Sequence, residues 1–134
     1  MGLVVDYGGV LTDFGDDPGR GEPPLIGVLR QARRVGLRTA LLSNAGDGGE
    51  DPPWWGELFD TVVLSGRVGM AKPDPAIYLL TAERLGLPPA ACVFVDDLAV
   101  NVRGAARAGM VGVQHTTVAD TIDELEALFG LPLR

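Results

Sequence analysis

Apolar residues occur along the chain in short runs, and several of these runs stop abruptly at a polar side chain. Five runs are nearly continuous in apolar residues and have the length of a buried strand. They cover residues 3–5, 38–42, 61–64, 93–95 and 111–113. The segments between them are longer, and in several of them apolar residues recur at helical spacing. The pattern therefore predicts strands that alternate with helices.

The predicted helices are marked by apolar spacing and by residues that favour helix ends. Asp74 and Pro75 suit the start of a helix and Gly86 suits its end. Thr121 and Glu124 have the spacing of a capping box. The predicted helices cover residues 24–35, 74–85, 98–108 and 121–129. The segments rich in glycine and proline are predicted to be turns or loops, and they cover residues 7–12, 13–24 and 46–53.

Buried strands that alternate with helices are typical of a parallel sheet covered on both faces. We therefore predict an α/β protein with a Rossmann-like, three-layer fold around a central parallel sheet of five strands. Residues 1–134 contain no internal repeat, linker or low-complexity tract. A chain of this length suits one domain.

The charge balance narrows the classes of partner. The chain has 11 basic and 18 acidic residues and a net charge of −7, so no basic face is expected for a nucleic-acid backbone. No apolar stretch is long enough to span a bilayer, and no charged leader precedes an apolar segment. The expected location is the cytoplasm. The one cysteine, Cys92, lies in an apolar run and is expected to be a buried structural thiol.

Polar side chains follow three of the predicted strands. Asp6 follows the first strand, Ser43 the second, and Asp96 with Asp97 the fourth. Ligands of parallel sheets bind beyond the carboxyl ends of the strands, so these residues are expected to form one site. Asp6 precedes two glycines, which suits a nucleophile or a metal ligand beside backbone N–H groups that hold an oxyanion. Taken alone, an aspartate that caps a turn is an equal alternative.

Two further segments are candidates for holding a phosphate. The Ser43 hydroxyl and the amides of Ser43 and Asn44 can bind a phosphate oxygen, although an ordinary turn is the usual meaning of this pair. Lys72, fixed just before a helix start, can neutralise a phosphoryl group and restrain a carboxylate. Considered in isolation, a solvated surface lysine is the simpler interpretation.

The pair Asp96 and Asp97 is the least ordinary feature. Two adjacent carboxylates at the end of a buried strand repel each other, and a hard cation compensates for that repulsion. Asn101 lies one helical turn after Asp97 and could orient its carboxylate. The alternative is a double cap for the next helix, which needs only one of the two acids.

In combination, these segments resemble the four motifs of the haloacid dehalogenase-like hydrolase superfamily, in the same order. The first is Asp-Tyr-Gly-Gly-Val-Leu-Thr from residue 6, and the second is Leu-Leu-Ser-Asn. The third is Ala-Lys-Pro-Asp-Pro-Ala-Ile-Tyr, and the fourth is Val-Phe-Val-Asp-Asp-Leu-Ala-Val-Asn-Val-Arg-Gly-Ala. The resemblance covers residues 3 to 115, nearly the whole chain.

The resemblance implies a Mg²⁺-dependent phosphohydrolase that forms an aspartyl-phosphate on Asp6. Ser43 and Asn44 would bind the phosphoryl oxygens, and Lys72 would steady both Asp6 and the developing charge. Mg²⁺ would be held by Asp6, the backbone carbonyl of Gly8 and Asp97. Asp96 and Asn101 would support that metal site. The implied substrate is a phosphorylated molecule.

The chain departs from the family pattern at Gly8, where the family's phosphatases carry a second aspartate as general acid and base. Such help is worth about 10²–10⁴-fold in rate. The expected substrates therefore have leaving groups that need little protonation, such as acyl, aryl or anomeric sugar phosphates. Asp13 is a weak candidate for a substitute acid. His115 matches no motif position and is assigned no role.

The chain also has no room for the cap domain that many relatives insert beside the site. An uncapped site is open, which suits a bulky substrate or closure by a second subunit, as in a homodimer. Trp54, Trp55 and Phe59 are candidates for such a contact surface, with packing in the core as the alternative.

Two other functions are compatible with these residues. Gly8 is compatible with a non-catalytic relative that binds a phosphorylated ligand or a protein. Haloacid dehalogenation ranks lower, because those enzymes work without a metal and rely on a cap, whereas this chain keeps Asp96 and Asp97.

Overall fold

The computed structural model describes residues 1–15, 21–46 and 49–134. Its centre is a sheet of five parallel strands in the order β3-β2-β1-β4-β5. The strands are β1 (Gly2–Val5), β2 (Arg38–Ser43), β3 (Thr61–Leu64), β4 (Cys92–Asp96) and β5 (Val111–Gln114). The predicted fold is thereby confirmed. Parts of the predicted loops 13–24 and 46–53, namely residues 16–20 and 47–48, lie outside the described residues.

Six α-helices flank the sheet in the described part of the chain. They are α1 (Pro24–Arg34), α2 (Trp55–Leu58), α3 (Ser65–Val68), α4 (Pro75–Leu85), α5 (Ala99–Arg107) and α6 (Val118–Phe129). Asp74 caps α4 by accepting a hydrogen bond from the Ala76 N–H at 3.0 Å, and Gly86 ends the helix at φ +71°. The single turn α3 was not predicted, because four residues are too few to show helical spacing. No helix in the described part of the chain is both long and apolar enough to span a bilayer.

The helices cover both faces of the sheet. Apolar side chains of α1, α2 and α6 pack with Leu3, Val5 and Val95 on one face. Those of α4 and α5 pack with Val4 and Phe94 on the other. Successive strand residues point to opposite faces, so β1, β2 and β4 each contribute buried side chains to both layers of the core. Cys92 is buried in the second layer, as expected.

Helix α6 begins earlier than the sequence predicted. Its N-cap is Thr117, whose hydroxyl accepts a hydrogen bond from the Asp120 N–H at 3.1 Å. The capping box predicted at Thr121 was wrong, because Thr117 makes the capping contact one turn earlier. Thr121 instead lies inside the helix and is almost completely buried.

A close contact between α5 and the segment before α4 sets the position of that segment. A β-carbon added to Gly104 in α5 would lie 2.6 Å from the Pro73 carbonyl oxygen and 2.7 Å from the Pro73 Cβ. Both distances are far below van der Waals contact, so only glycine allows this approach. Lys72, the residue before Pro73, is positioned in part by this packing.

Candidate functional site

Asp6 and Asp96 meet where the sheet reverses its strand order. The chain passes from β1 to β2 and β3 on one side, whereas β4 and β5 lie on the other. The carboxyl ends of β1 and β4 therefore flank a crevice of the kind that binds ligands in such sheets. Asp6 follows β1 and donates its backbone N–H to the Val95 carbonyl at 3.0 Å. Asp96 ends β4 and is fully buried.

Lys72 joins these two carboxylates. Its Nζ lies 2.9 Å from Asp6 Oδ1 and 2.8 Å from Asp96 Oδ2. The lysine side chain is only 2% exposed, and its ammonium lies 5.4 Å from the centre of the Phe94 ring. Charge-assisted hydrogen bonds of this length in a water-poor setting fix the ammonium in place.

The Asn44 side chain holds the backbone of Lys72. Asn44 Nδ2 donates to the Lys72 carbonyl at 3.0 Å, and the Lys72 N–H donates to Asn44 Oδ1 at 2.8 Å. Both ends of the amide are therefore committed to the segment that carries the lysine. Any contact of Asn44 with a phosphate would involve its backbone N–H rather than its side chain.

Asp97 completes a cluster of three carboxylates. One oxygen each of Asp6, Asp96 and Asp97 lies within 4.8 Å of the others. Burial raises the pKa of Asp6, although the contact with Lys72 opposes this rise. Burial also raises the pKa of Asp97, and the neighbouring Asp96 carboxyl adds to it. The cluster thus carries more negative charge than Lys72 balances, and a hard divalent cation with oxygen ligands fits that donor set.

Asp96 is fixed by the start of α5. Its Oδ1 accepts a hydrogen bond from the Leu98 N–H at 3.0 Å, and its Oδ2 accepts one from Asn101 Nδ2 at 3.1 Å. The amide of Asn101 therefore orients Asp96, not Asp97 as the sequence predicted. The reason is that Asp96 also accepts a hydrogen bond from Leu98, the N-cap residue of α5, which brings its second oxygen beside the first turn. Among the described residues, the Asp97 side chain makes no such contact with α5, and it stays available to the cluster.

The two glycines after the nucleophile candidate differ in what the fold requires of them. They lie in a single wide turn, Tyr7–Leu11. Gly9 has φ +79°, and a β-carbon there would lie 2.5 Å from Asp97 Oδ2, so glycine is needed on both grounds. Gly8 has φ −67° and ψ 129°, which any residue adopts. No described atom lies within 4 Å of a β-carbon at position 8.

Ser43 lies at the carboxyl end of β2, on the side of Asp6 opposite to β4. It is partly exposed, and its hydroxyl has no hydrogen-bond partner among the described residues. Ser43 and Tyr7 line one side of a cavity of about 270 Å³, and residues 45–46, 49–52, 55, 64 and 67 line the rest. A hydroxyl in this position can donate to a phosphoryl oxygen.

His115 forms an unpredicted buried contact beyond the end of β5. Its Nε2 lies 2.7 Å from Asp13 Oδ2, and its Nδ1 lies 2.7 Å from Thr121 Oγ1. Like Asp6 and Asp96, this histidine comes just after a strand, a signal that sequence reasoning could have used. The Gly15 N–H and His115 both lower the pKa of Asp13. A carboxyl held in its charged form is a poor general acid, which counts against Asp13 as the substitute.

The aromatic side chains proposed as a contact surface belong mainly to the fold. Phe59 is 5% exposed, and Trp54 and Trp55 are partly buried against the same core. The Trp55 ring makes edge-to-face contacts with Tyr7 at 5.8 Å and with Trp54 at 6.2 Å between ring centres. Packing, the alternative interpretation, therefore accounts for Phe59 and for much of both tryptophans.

Comparisons of the sequence with known proteins find related proteins. A family model of haloacid dehalogenase-like hydrolases matches residues 3–109. "Phosphatase MT3486" of Mycobacterium tuberculosis is 38% identical over 96 residues, which are 68% of this chain and 44% of that protein. The chain spans between 11% and 44% of the first curated relatives that it matches.

Two solved structures resemble the fold. A protein of unknown function from Corynebacterium glutamicum superposes with a TM-score of 0.85 and 37% identity, covering 97% of this chain and 95% of that one. A magnesium complex of an enzyme from Bacteroides thetaiotaomicron superposes with a TM-score of 0.71 and 18% identity, covering 92% and 97%. The second likeness concerns the fold alone.

Proposed function

The chain belongs to the haloacid dehalogenase-like hydrolase family, and from that premise we propose that it is a Mg²⁺-dependent phosphohydrolase with Asp6 as nucleophile. One observation carries the proposal: the oxygens of Asp6, Asp96 and Asp97 lie within 4.8 Å of one another beside a buried ammonium. The phosphatase among its relatives and the magnesium complex of a similar fold are consistent with it.

The metal would be held by Asp6, Asp97 and the backbone carbonyl of Gly8, with Asp96 and Asn101 behind them. When bound, Mg²⁺ would neutralise charge on the phosphoryl oxygens and allow Asp6 to approach an anion. The donor set fits this ion, because carboxylate and carbonyl oxygens are its preferred protein ligands.

The residues of the chain then divide the reaction between them. An oxygen of Asp6 attacks phosphorus, and the bond from phosphorus to the leaving oxygen breaks with its electron pair. Lys72 keeps Asp6 charged and aimed, while the Ser43 hydroxyl donates to a phosphoryl oxygen. Water then attacks the aspartyl-phosphate, which releases inorganic phosphate and restores the Asp6 carboxylate.

Gly8 restricts which esters this site can cleave. With glycine in place of the family's acid, no side chain at that position protonates the departing oxygen. The leaving group must therefore carry its own negative charge, as carboxylate and phenolate oxygens do. We propose acyl or aryl phosphates as the substrate class, hydrolysed at an open site.

Hydrolysis of phenyl phosphate tests the proposal, with and without Mg²⁺. We expect metal-dependent turnover that falls by about a thousandfold or more in Asp6→Asn. Asp13→Asn is the matched control, because it removes a carboxylate outside the cluster, and it should retain most of the activity. Mg²⁺ should also raise the thermal midpoint.

Three other outcomes decide against it. A rise in thermal midpoint with Mg²⁺, but no turnover of phenyl or acetyl phosphate, would indicate the non-catalytic relative. Halide release from a haloacid without metal would indicate a dehalogenase. Equal loss of turnover in Asp6→Asn and Asp13→Asn would contradict the role of Asp6 as nucleophile.

A further inference from the structure

The cavity of about 270 Å³ beside Ser43 is not used by the reaction as described so far. It lies on the β2 and β3 side of Asp6, because Tyr7 follows the nucleophile directly and Ser43 ends β2. We propose that this cavity is the leaving-group subsite and that it takes a single uncharged aromatic ring. The inference rests on the proposed phosphohydrolase function and names its substrate class more closely: aryl phosphates.

The walls of the cavity offer flat carbon surface. Tyr7, Trp55 and Leu64 all line it, and the Tyr7 and Trp55 rings meet at 64°. The indole Nε1 of Trp55 is buried and has no hydrogen-bond partner in the described part of the chain. Trp55 therefore presents ring carbons, not its N–H, to the cavity. Aromatic groups gain most from edge and face contacts with such rings.

The charged side chains of the lining do not favour an anion. Arg67 forms two hydrogen bonds with Asp51, at 3.2 and 2.7 Å, so this pair is neutral as a whole. Glu50, also in the lining, adds a negative charge. The described lining thus has no excess positive charge, and a leaving group with its own carboxylate or phosphate would be repelled.

The size of the cavity suits one ring. A cavity of about 150 Å³ is enough to hold benzene, whereas pockets for drug-sized ligands begin near about 300 Å³. A volume of about 270 Å³ therefore has room for one ring with a small substituent.

The absence of an acid at Gly8 is compatible with the same substrate. A phenol has a pKa near that of tyrosine, about 10, so phenolate departs without a proton from the enzyme. In the first step the Asp6 oxygen bonds to phosphorus, and the aryl oxygen leaves with the electron pair and takes a proton from water. The shape of the cavity and the missing acid together favour aryl phosphates.

The test compares kcat/KM for phenyl phosphate with kcat/KM for acetyl phosphate, whose leaving group also needs no acid but has no ring. We expect Trp55→Ala to lower the ratio about tenfold and Trp55→Phe, which keeps a flat ring, to restore most of it. Leu128→Ala, which removes an exposed apolar side chain at the end of α6, is the control and should leave the ratio unchanged.

A gain-of-specificity variant guards against loss of folding. Asp51→Asn removes one negative charge from the lining beside Arg67, so we expect hydrolysis of 4-carboxyphenyl phosphate to improve about threefold relative to phenyl phosphate. An unchanged ratio in Trp55→Ala together with no gain in Asp51→Asn would overturn the subsite while the phosphohydrolase stands.

If the wild-type protein hydrolyses neither phosphate, the proposed function fails. The subsite is then tested by measuring the binding of the two compounds. Phenyl phosphate should quench tryptophan fluorescence in the presence of Mg²⁺, and acetyl phosphate should not. Equal quenching by both compounds, or by neither, would overturn the aromatic subsite.

Discussion

The two sides of Asp6 are built in different ways. Towards β4, the carboxylates of Asp6 and Asp96 share the buried Lys72, and each contact comes from a strand end or from a segment packed against a helix. Towards β2, Ser43 and Tyr7 line an open cavity whose other walls come largely from connecting segments. The first side can hold reacting groups still, whereas the second can change its lining without disturbing them. On the proposed function, chemistry and selection would therefore be carried by separate halves of one sheet edge.

Removing Lys72 should have the largest effect on activity, because Lys72 joins the carboxylates on the β4 side of Asp6, which we call the rigid side. Lys72→Met leaves three carboxylates close together, and loss of one partner from a buried pair costs about 3–5 kcal/mol. We expect kcat/KM for phenyl phosphate to fall about a thousandfold and the urea midpoint to fall with it. Arg30→Met removes a cation from an exposed pair with Glu22 and should change neither. Retained activity in Lys72→Met would show that the Lys72 contacts are not needed for catalysis.

Restoring an acid at position 8 should sharpen the contrast between the two sides. Gly8→Asp meets no described atom within 4 Å at its β-carbon, so the variant should fold. We expect hydrolysis of ethyl phosphate, whose leaving group needs a proton, to rise about a hundredfold, with less gain for phenyl phosphate. Gly8→Asn has the same shape without the acid. An equal gain in both variants would contradict a proton-transfer role.

Asp97→Asn should have the smallest effect, a change in the stability of the metal-free protein. The direction of that change is informative. The raised pKa of Asp97 means that the folded state binds a proton at this site more tightly than the unfolded state does. Stability should therefore fall as pH rises above 3.8, the ordinary value, and the Asn variant should escape that loss. In EDTA at pH 7 we expect Asp97→Asn to be at least as stable as wild type.

Mg²⁺ provides the second half of that measurement. At a hundredfold excess over its Kd, the ion should stabilise wild type by about 2.7 kcal/mol, and Asp97→Asn should lose most of this gain. Urea midpoints at pH 3, 5 and 7, with EDTA and with Mg²⁺, separate the two effects. If wild type is more stable than Asp97→Asn in EDTA at pH 7, the cluster does not carry a destabilising excess of negative charge.

Much of the rigid side could be predicted from sequence, because its residues follow buried strands. The apolar runs before Asp6 and Asp96 fix the strand ends, and parallel strands bring their ends together. Lys72 lies before a capped helix, and its motif placed it with these acids. The partner of Asn101 was predicted wrongly because helical spacing alone cannot tell which of two neighbouring acids turns towards α5.

The other side was less accessible to sequence reasoning. The cavity depends on how the segments after β2 and β3 meet, and no periodicity encodes that meeting. The contact between His115 and Asp13 joins residues 102 positions apart and matches no motif. Thr121 was assigned to a cap because its spacing to Glu124 is local, whereas its contact with His115 depends on the packing of α6.

The glycine at position 104 ties the chemistry to a helix that touches none of the reactants. Since α5 approaches Pro73 without a β-carbon between them, the reach of the ammonium towards its two acids depends on how far apart two structural elements lie. A methyl group introduced there would push α5 and Pro73 apart and displace Lys72 from its two acids. We expect such a variant to fold but to turn over its substrate slowly. Screens for inactive variants of this chain should therefore return substitutions from the back of the sheet as well as from its reactive edge.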